Sequence, residues 1–329
     1  MRFLSKLVSV GMLCIAVGGC GLFMEEIPSG QIVCPTAKDH YIRIGDINFH
    51  YLEYPAEGED VLFLHGFASS TYTWEEVAVC LQKEGYHVRA LDMKGFGLSD
   101  KPEDAKYDPV TLMEEVNRWM EVMGLEQATI VGNSLGGGIA VLMTLEHPEK
   151  VERLVLIDAA GYPIEKPLIV RMAQMPLSRF FAKLFFARWA VRWNLEEVFF
   201  HPDRVTRERV DAYYARMRTP GALDAQVAVA RALNGTVFEK YTRHIPEIGV
   251  RTLIIWGKED EWIPLENSHR FRAEIALSTL VVIPECGHLP QEEHPLLTAR
   301  LIGDFIEGKN VEGRRSGAGQ ASQGKSSSR

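Results

Sequence analysis

Residues 127–142, QATIVGNSLGGGIAVL, constrain the fold of this chain more than any other stretch. A β-branched apolar run, Thr129-Ile130-Val131, meets Gly132-Asn133-Ser134-Leu135-Gly136-Gly137, and an apolar pattern at helical spacing follows. That order predicts a strand, a sharp turn with Ser134 at its apex, and a helix. So tight a turn strains the apex residue and brings its neighbours two before and two after close to it. Only very small residues fit there, hence Gly132 and Gly136. The turn lifts the Ser134 hydroxyl clear of the sheet. It also sets the Leu135 amide at a helix N-terminus, where unpaired N–H groups favour an anion. G-x-S-x-G alone arises by chance in roughly one chain in ten of this length. A glycine-rich loop between strand and helix would satisfy it equally, so a chemical reading needs the rest of a site.

The same strand–helix alternation runs through most of the chain. YIRI and INFHYLEY, separated by Gly45-Asp46, predict a hairpin over His40 to Tyr54. Short apolar strands are expected at 61–64, 88–91, 154–157, 253–256 and 280–283, and helices at 74–82, 110–123, 268–276 and 295–306. Such alternation means βαβ units, a mainly parallel sheet and helices on both faces. Functional loops then gather at the C-terminal ends of the strands. His65, Asp92, Ser134, Asp158 and Asp260 all fall at or just beyond such ends. The stretch from Tyr162 to His244 breaks the pattern: it is helical in character, rich in aromatics and has no convincing buried strand. A helical insertion there would sit over the C-terminal edge as a lid with an apolar underside.

A nucleophilic serine needs a base to take its proton, a carboxylate to orient the base, and donors for the oxyanion. Asp260 follows an apolar strand in Ile254-Ile255-Trp256-Gly257-Lys258-Glu259-Asp260 and is the candidate carboxylate. Its neighbours Glu259 and Glu261 read as solvated loop charges. His288 follows Val282-Ile283-Pro284-Glu285-Cys286-Gly287 and is the candidate base. The order Ser134, Asp260, His288 is that of an α/β-hydrolase triad. His294, just before Pro295, reads as surface, and His65, before Gly66, as a residue that shapes the oxyanion loop.

These residues resemble the α/β-hydrolase family over nearly all of residues 40 to 307. The resemblance rests on Leu64-His65-Gly66-Phe67, on the Asp92 to Ser99 loop DMKGFGLS, on Gly132 to Gly137, and on Trp256 to Asp260 paired with Gly287-His288. It implies an α/β-hydrolase fold: a mainly parallel eight-stranded sheet flanked by helices, with the cap inserted after the sixth strand. The core would span 39–161 and 245–307, and the cap 162–244. It implies oxyanion donors at the Phe67 and Leu135 amides and a largely structural Asp92 loop. Asp158 is a second candidate acid, because some members place the carboxylate after that earlier strand; Asp260 is preferred. A serine in the turn sets the chain apart from haloalkane dehalogenases and epoxide hydrolases, which carry aspartate there. HGFASS matches neither the iminopeptidase nor the HGGG lipase loop. What remains resembles serine esterases, meta-cleavage-product C–C hydrolases and cofactor-free perhydrolases. Ester hydrolysis of an apolar acyl substrate is favoured, without metal or cofactor. A non-catalytic binding protein on the same fold is the reading from another class; such relatives usually lose a triad member, and none is missing here.

The two ends stand outside this fold. Arg2 and Lys6 precede an apolar segment, Leu7 to Val17, too short to span a bilayer comfortably. It ends in Val17-Gly18-Gly19-Cys20, which resembles a bacterial lipobox. The resemblance implies a signal peptide over 1–19, acylation of Cys20 (palmitate among the acyl groups) and membrane attachment through it, with a linker over 20–38. Gly21 after the cysteine favours the outer membrane, and export argues against an intracellular aromatic-degradation step. An ordinary secretory signal is the alternative. Cys34, Cys80 and Cys286 are widely spaced, without metal-like spacing, and read as buried free thiols, with a pairing of two of them in an exported chain as the alternative. Residues 308–329, rich in Gly, Ser and basic residues, read as a disordered tail. A net charge of -8 with no basic stripe through the middle of the chain argues against a nucleic-acid partner.

Overall fold

The central strands form where apolar residues run unbroken, and they bury both faces. The computed structural model describes residues 27–28, 32, 36–180, 186–233 and 236–311; the expected signal peptide, Cys20 and Cys34 lie outside them. Eight strands make one sheet: β1 (Lys38–Ile44), β2 (Ile47–Tyr54), β3 (Asp60–Leu64), β4 (His87–Leu91), β5 (Ala128–Asn133), β6 (Val151–Ile157), β7 (Arg251–Gly257) and β8 (Ser278–Ile283). Their order is β1-β2-β4-β3-β5-β6-β7-β8. β1 and β2 form the expected antiparallel hairpin, β2 runs antiparallel to β4, and every later pairing is parallel.

The first helices are α1 (Glu75–Lys83), α2 (Pro109–Val122) and α3 (Leu135–Glu146). α2 starts where Asp108 accepts from the Thr111 amide at 3.0 Å and Pro109 needs no donor partner. Between β6 and β7 the described residues form α4 (Leu168–Gln174), α5 (Arg188–Val198), α6 (Arg207–Met217), α7 (Ala222–Ala232) and α8 (Thr236–Thr242), and no strand. The chain then adds α9 (Glu266–Glu274), the single turn α10 (Pro290–Glu293) and α11 (Pro295–Ile306). Side chains alternate across the sheet. Leu62, Leu64, Leu154, Leu156 and Ile254 join one apolar cluster with α2, α3 and α9. Val61, Phe63, Val155, Ile157 and Ile255 join the other with α1 and α11.

Helices α4 to α8 lie over the C-terminal edge of the sheet, because their partners in the core are the loops that leave that edge. Tyr213 meets Ser69 after β3, Thr219 and Gln226 donate to Gly97 and Gly95 after β4, and Val198 accepts from the His288 amide after β8. This cap has its own apolar cluster, built from Val191, Leu195, Val198, Phe199, Val210, Tyr213 and Tyr214, and Leu289 of the core closes it.

Two boundaries shift from expectation. Val311 is buried in the α1/α11 layer and Lys309 donates its amide to Asp304, so ordered packing runs past the expected tail boundary at 308. Ile27, within the expected linker, donates to the Arg218 carbonyl of the cap at 3.0 Å. No helix among the described residues is long and apolar enough to cross a membrane. Cys80 and Cys286 are free thiols, the latter buried.

Candidate active site

Ser134 caps α3 with φ 54° and ψ -118°, a backbone conformation that costs a non-glycine residue on the order of 1–3 kcal/mol. The surroundings hold it there. Its amide donates to Ile157 at 3.0 Å, and its carbonyl accepts from Ala160 at 2.9 Å and Gly138 at 3.1 Å. A Cβ on Gly132 would collide with the Gly136 carbonyl, and one on Gly136 with the Leu64 and His65 carbonyls. The glycine spacing therefore follows from close packing of the turn against the end of β3.

The loop after β3 lies against the same turn. A Cβ on Gly66 would come to 3.0 Å of Asn133 Oδ1 and 3.1 Å of Ser134 Cβ. Phe67 follows, and Ala68 turns the chain at φ 57°. His65 is fully buried and burial keeps it neutral by lowering its pKa. Nδ1 lies 2.8 Å from the Gly66 carbonyl and Nε2 accepts from the Met93 amide at 3.2 Å, so the proton is on Nδ1. This histidine clamps the loop. The amides of Phe67 and Leu135 have no protein acceptor among the described residues, and both belong to segments in contact with Ser134.

Asp260 and His288, far apart in sequence, meet at 2.7 Å between Oδ2 and Nδ1. Asp260 Oδ1 accepts from the amides of Trp262 at 2.7 Å and Ile263 at 3.1 Å, so the carboxylate is fixed. Nδ1–H donating to Asp260 leaves Nε2 as the acceptor nitrogen, and Nε2 is buried with no partner among the described residues. Asn133, next to Ser134, donates to the His288 carbonyl at 3.2 Å and to Ile157 at 3.1 Å, which ties the serine turn to the histidine loop. The Trp262 ring centroid lies 5.4 Å from the imidazole. Glu259 departs from the solvated charge expected of it: it accepts from the Cys286 amide at 3.1 Å and braces the acid loop against the base loop.

Asp158 occupies a different position from an acid of the pair. It is fully buried at φ 43°, and its Oδ1 accepts from the Gly257 amide at 2.9 Å. Its Oδ2 has no donor among the described residues and lies against Asp260. Burial first, and the neighbouring Asp260 charge second, push its pKa well up, which favours the protonated acid. Asp158, Asp260 and His288 bring potential ligand atoms within 4.8 Å of one another. Nδ1 and Oδ2 are committed to each other, so the trio suits an oriented base better than a metal.

Two buried carboxylates were not legible as such. Glu292 and Glu293, in the polar run Gln291-Glu292-Glu293, look like a solvated helix start, yet both are buried. Glu292 accepts from Thr73 at 2.6 Å and from Tyr213, and forms an ion pair with Arg209 at 2.8 Å. Glu293 accepts from Phe200 at 2.9 Å, His201 at 3.2 Å and Gly287 at 2.6 Å. Their partners come largely from the cap, so the segment following the histidine is the cap's main anchor. Beside the β3 loop, the space under the cap lined by Ser69, Lys101, Tyr213, Arg216 and Gln226 is about 10 Å³, room for one water.

An eight-stranded sheet of this order with a helical cap, a strained serine elbow and an Asp–His pair over its C-terminal edge defines a class of hydrolytic enzymes. The chain belongs to the α/β-hydrolase fold family, whose profile matches residues 61–295. It is an enzyme, a hydrolase. It is 32% identical over 259 residues to a 2-hydroxymuconate semialdehyde hydrolase of Pseudomonas sp. (strain CF600), covering 76% of this chain and 87% of that one. Among solved structures it resembles a meta-cleavage product hydrolase from Pseudomonas fluorescens IP01 (TM-score 0.70, 28% identity, 82% of this chain and 98% of that one). It also resembles a membrane phospholipase A (TM-score 0.65, 27% identity, 93% of this chain and 98% of that one).

Proposed function

We infer that the protein hydrolyses a carboxylic ester through an acyl-enzyme on Ser134. The observation that carries this is the 2.7 Å Asp260–His288 pair, with its free Nε2, bonded through Asn133 to a serine turn held at positive φ. Ser134 Oγ attacks the acyl carbonyl while His288 Nε2 takes its proton. Asp260 holds the tautomer and stabilises the imidazolium. The Phe67 and Leu135 amides donate to the oxyanion; loss of one such donor costs on the order of 3 kcal/mol. Collapse expels the alcohol, protonated by His288. Water then attacks the acyl-enzyme, gives its proton to His288, and the acid leaves as Ser134 regains its hydrogen.

The phospholipase likeness, which spans more of this chain than the C–C hydrolase likeness, supports an apolar acyl substrate of lipid type. Attachment to the bacterial envelope through an acylated Cys20, with the outer membrane as the site, belongs to the same reading and rests on the Leu7–Cys20 segment. Palmitate labelling lost in Cys20→Ala tests it. C–C bond hydrolysis is the second reading, supported by the 32% identity to a semialdehyde hydrolase. A chain-length series of p-nitrophenyl esters run beside a meta-cleavage dienoate separates the two. Ester turnover that vanishes in Ser134→Ala is expected; dienoate turnover without ester turnover refutes the ester reading, and full activity in Ser134→Ala refutes both.

A further inference from the structure

Large apolar side chains exposed singly on a protein surface are ordinary, whereas a cluster of them marks a contact. Among the described residues, five of the ten that are exposed fall between residues 172 and 189: Met172, Met175, Leu177, Phe180 and Trp189, at 51%, 58%, 68%, 60% and 47%. All belong to the first part of the cap, α4 to the start of α5. Leu177, the most exposed of the five, also holds φ 62°, so the turn that presents it is costly twice over.

The charge around this patch has one sign. From Lys166 to Leu195 the sequence contains no aspartate or glutamate, in a chain of net charge -8. Arg171, Arg179, Arg188 and Arg192 are exposed there. Two acids meet the arginines at the far end of the stretch: Asp211 of α6 pairs with Arg188, and Glu196, one turn on in α5, with Arg192. Arg171 and Arg179, interleaved with the apolar residues, have no acidic partner among the described residues. The patch is firmly mounted. Gln174 donates to the Ala230 carbonyl of α7 at 2.6 Å, and Arg231 reaches Ser178 Oγ at 3.3 Å.

We propose that this face of the cap docks on an anionic lipid surface, with Met172, Met175, Leu177 and Phe180 entering the headgroup boundary and Arg171 and Arg179 pairing with lipid phosphates. Apolar side chains interleaved with unpaired arginines, and free of acids, match that surface in both of its properties. The chain's own path points the same way. Ile27 is bonded to Arg218 of the cap, and Cys20 lies seven residues before it, a reach of at most about 25 Å. An acyl group on Cys20 would hold the cap side close to the bilayer. The docking itself stands whether or not Cys20 is acylated, and whichever bond the active site cleaves.

The test uses the full chain in vesicles, with an environment-sensitive fluorophore on Leu177→Cys and the unsubstituted chain, carried through the same labelling, as background. A second probe site at Glu152, on the core, is the control. In phosphatidylglycerol/phosphatidylethanolamine vesicles the probe at 177 should shift to the blue and be quenched by spin-labelled lipid, and the probe at 152 should not. In pure phosphatidylcholine the shielding should largely disappear. Arg171→Gln with Arg179→Gln should weaken docking roughly 30-fold, with far-UV circular dichroism and thermal unfolding unchanged as the folding control. Equal shielding in the two lipids, or none in either, overturns the proposal. So does shielding that rises with protein concentration in the absence of lipid, which assigns the patch to a second copy of the chain. None of these readouts depends on turnover, so failure of the ester reading would be seen separately.

Discussion

Exchanging each buried aspartate for asparagine separates their roles sharply. In Asp260→Asn the two amides of Trp262 and Ile263 point at the Oδ1 position and demand an acceptor there. The asparagine carbonyl must take that place, which turns its NH2 toward His288 Nδ1. Facing a donor, Nδ1 becomes the acceptor, and the ring proton moves to Nε2, where it blocks proton abstraction from Ser134. A wrong tautomer of this kind lowers kcat by about 10⁴, or about 5 kcal/mol of barrier. In Asp158→Asn the carbonyl accepts from Gly257 as Oδ1 does now, and NH2 replaces the O–H of the protonated acid toward Asp260. Donor replaces donor, so kcat should stay within a few-fold of wild type, as for a conserved hydrogen bond worth about 1 kcal/mol. Steady-state kinetics on a short ester, with circular dichroism to verify folding, measures both. A fall of more than a hundredfold in Asp158→Asn, or of less than tenfold in Asp260→Asn, would refute the assignment of the proton and of the orienting acid.

Other expectations concern stability and the cap. His50 is buried, with Nδ1 2.7 Å from Asp92 and Nε2 2.8 Å from Asp39. Burial lowers its pKa, but hydrogen bonds to both aspartates outweigh this and raise it; for Asp92 burial raises the value, and the His50 charge and hydrogen bond bring it down. The raised His50 stabilises fully below its unfolded value of about 6.5 and loses this as pH rises through its folded value; the depressed Asp92 stabilises above about 4 and loses this in acid. The Tm advantage of wild type over His50→Gln should thus be greatest between those two values and shrink toward alkaline pH, and a gap that widens instead counts against the ion pair. Arg209→Met leaves Glu292 buried without its cation, at a cost of about 3–5 kcal/mol carried by the cap–core contact. Limited proteolysis should then cut α4 to α8 well before the core; an unchanged pattern would show that the contact does not hold the cap. Ser134→Gly relieves the positive φ and should raise stability by about 1 kcal/mol in thermal unfolding, while abolishing turnover.

The sheet was legible because parallel strands are short apolar runs, and the strands at 61–64, 88–91 and 253–256 need no partner to be seen. The elbow was legible because Gly132 answers to Gly136, four residues on; the carbonyls of Leu64 and His65 that demand a glycine at 136 come from another segment and left no local signal. Asp260 and His288 were linked only by chain order, and the hydrogen bond between them is a product of adjacent strands β7 and β8. The buried state of Glu292 and Glu293 had no local signal: a Gln-Glu-Glu run beside proline looks like any solvated helix start. What buries it comes from Arg209, Tyr213 and Phe200, between 79 and 93 residues away. Asp158 differs from Asp260 by its neighbours alone, since each is an aspartate at the end of a strand.

The His288 amide donates to Val198, and Glu293, five residues on, holds the amides of Phe200 and His201. The base thus hangs from the same hydrogen bonds that seat the cap. With only about 10 Å³ free beside the β3 loop, admitting a substrate by that route means moving the cap, and any movement that reaches Val198 pulls on the imidazole. The acid–base loop and the cap are thus one mechanical unit: displacement of the Val198–Phe200 segment is felt at the histidine before it is felt anywhere else in the sheet.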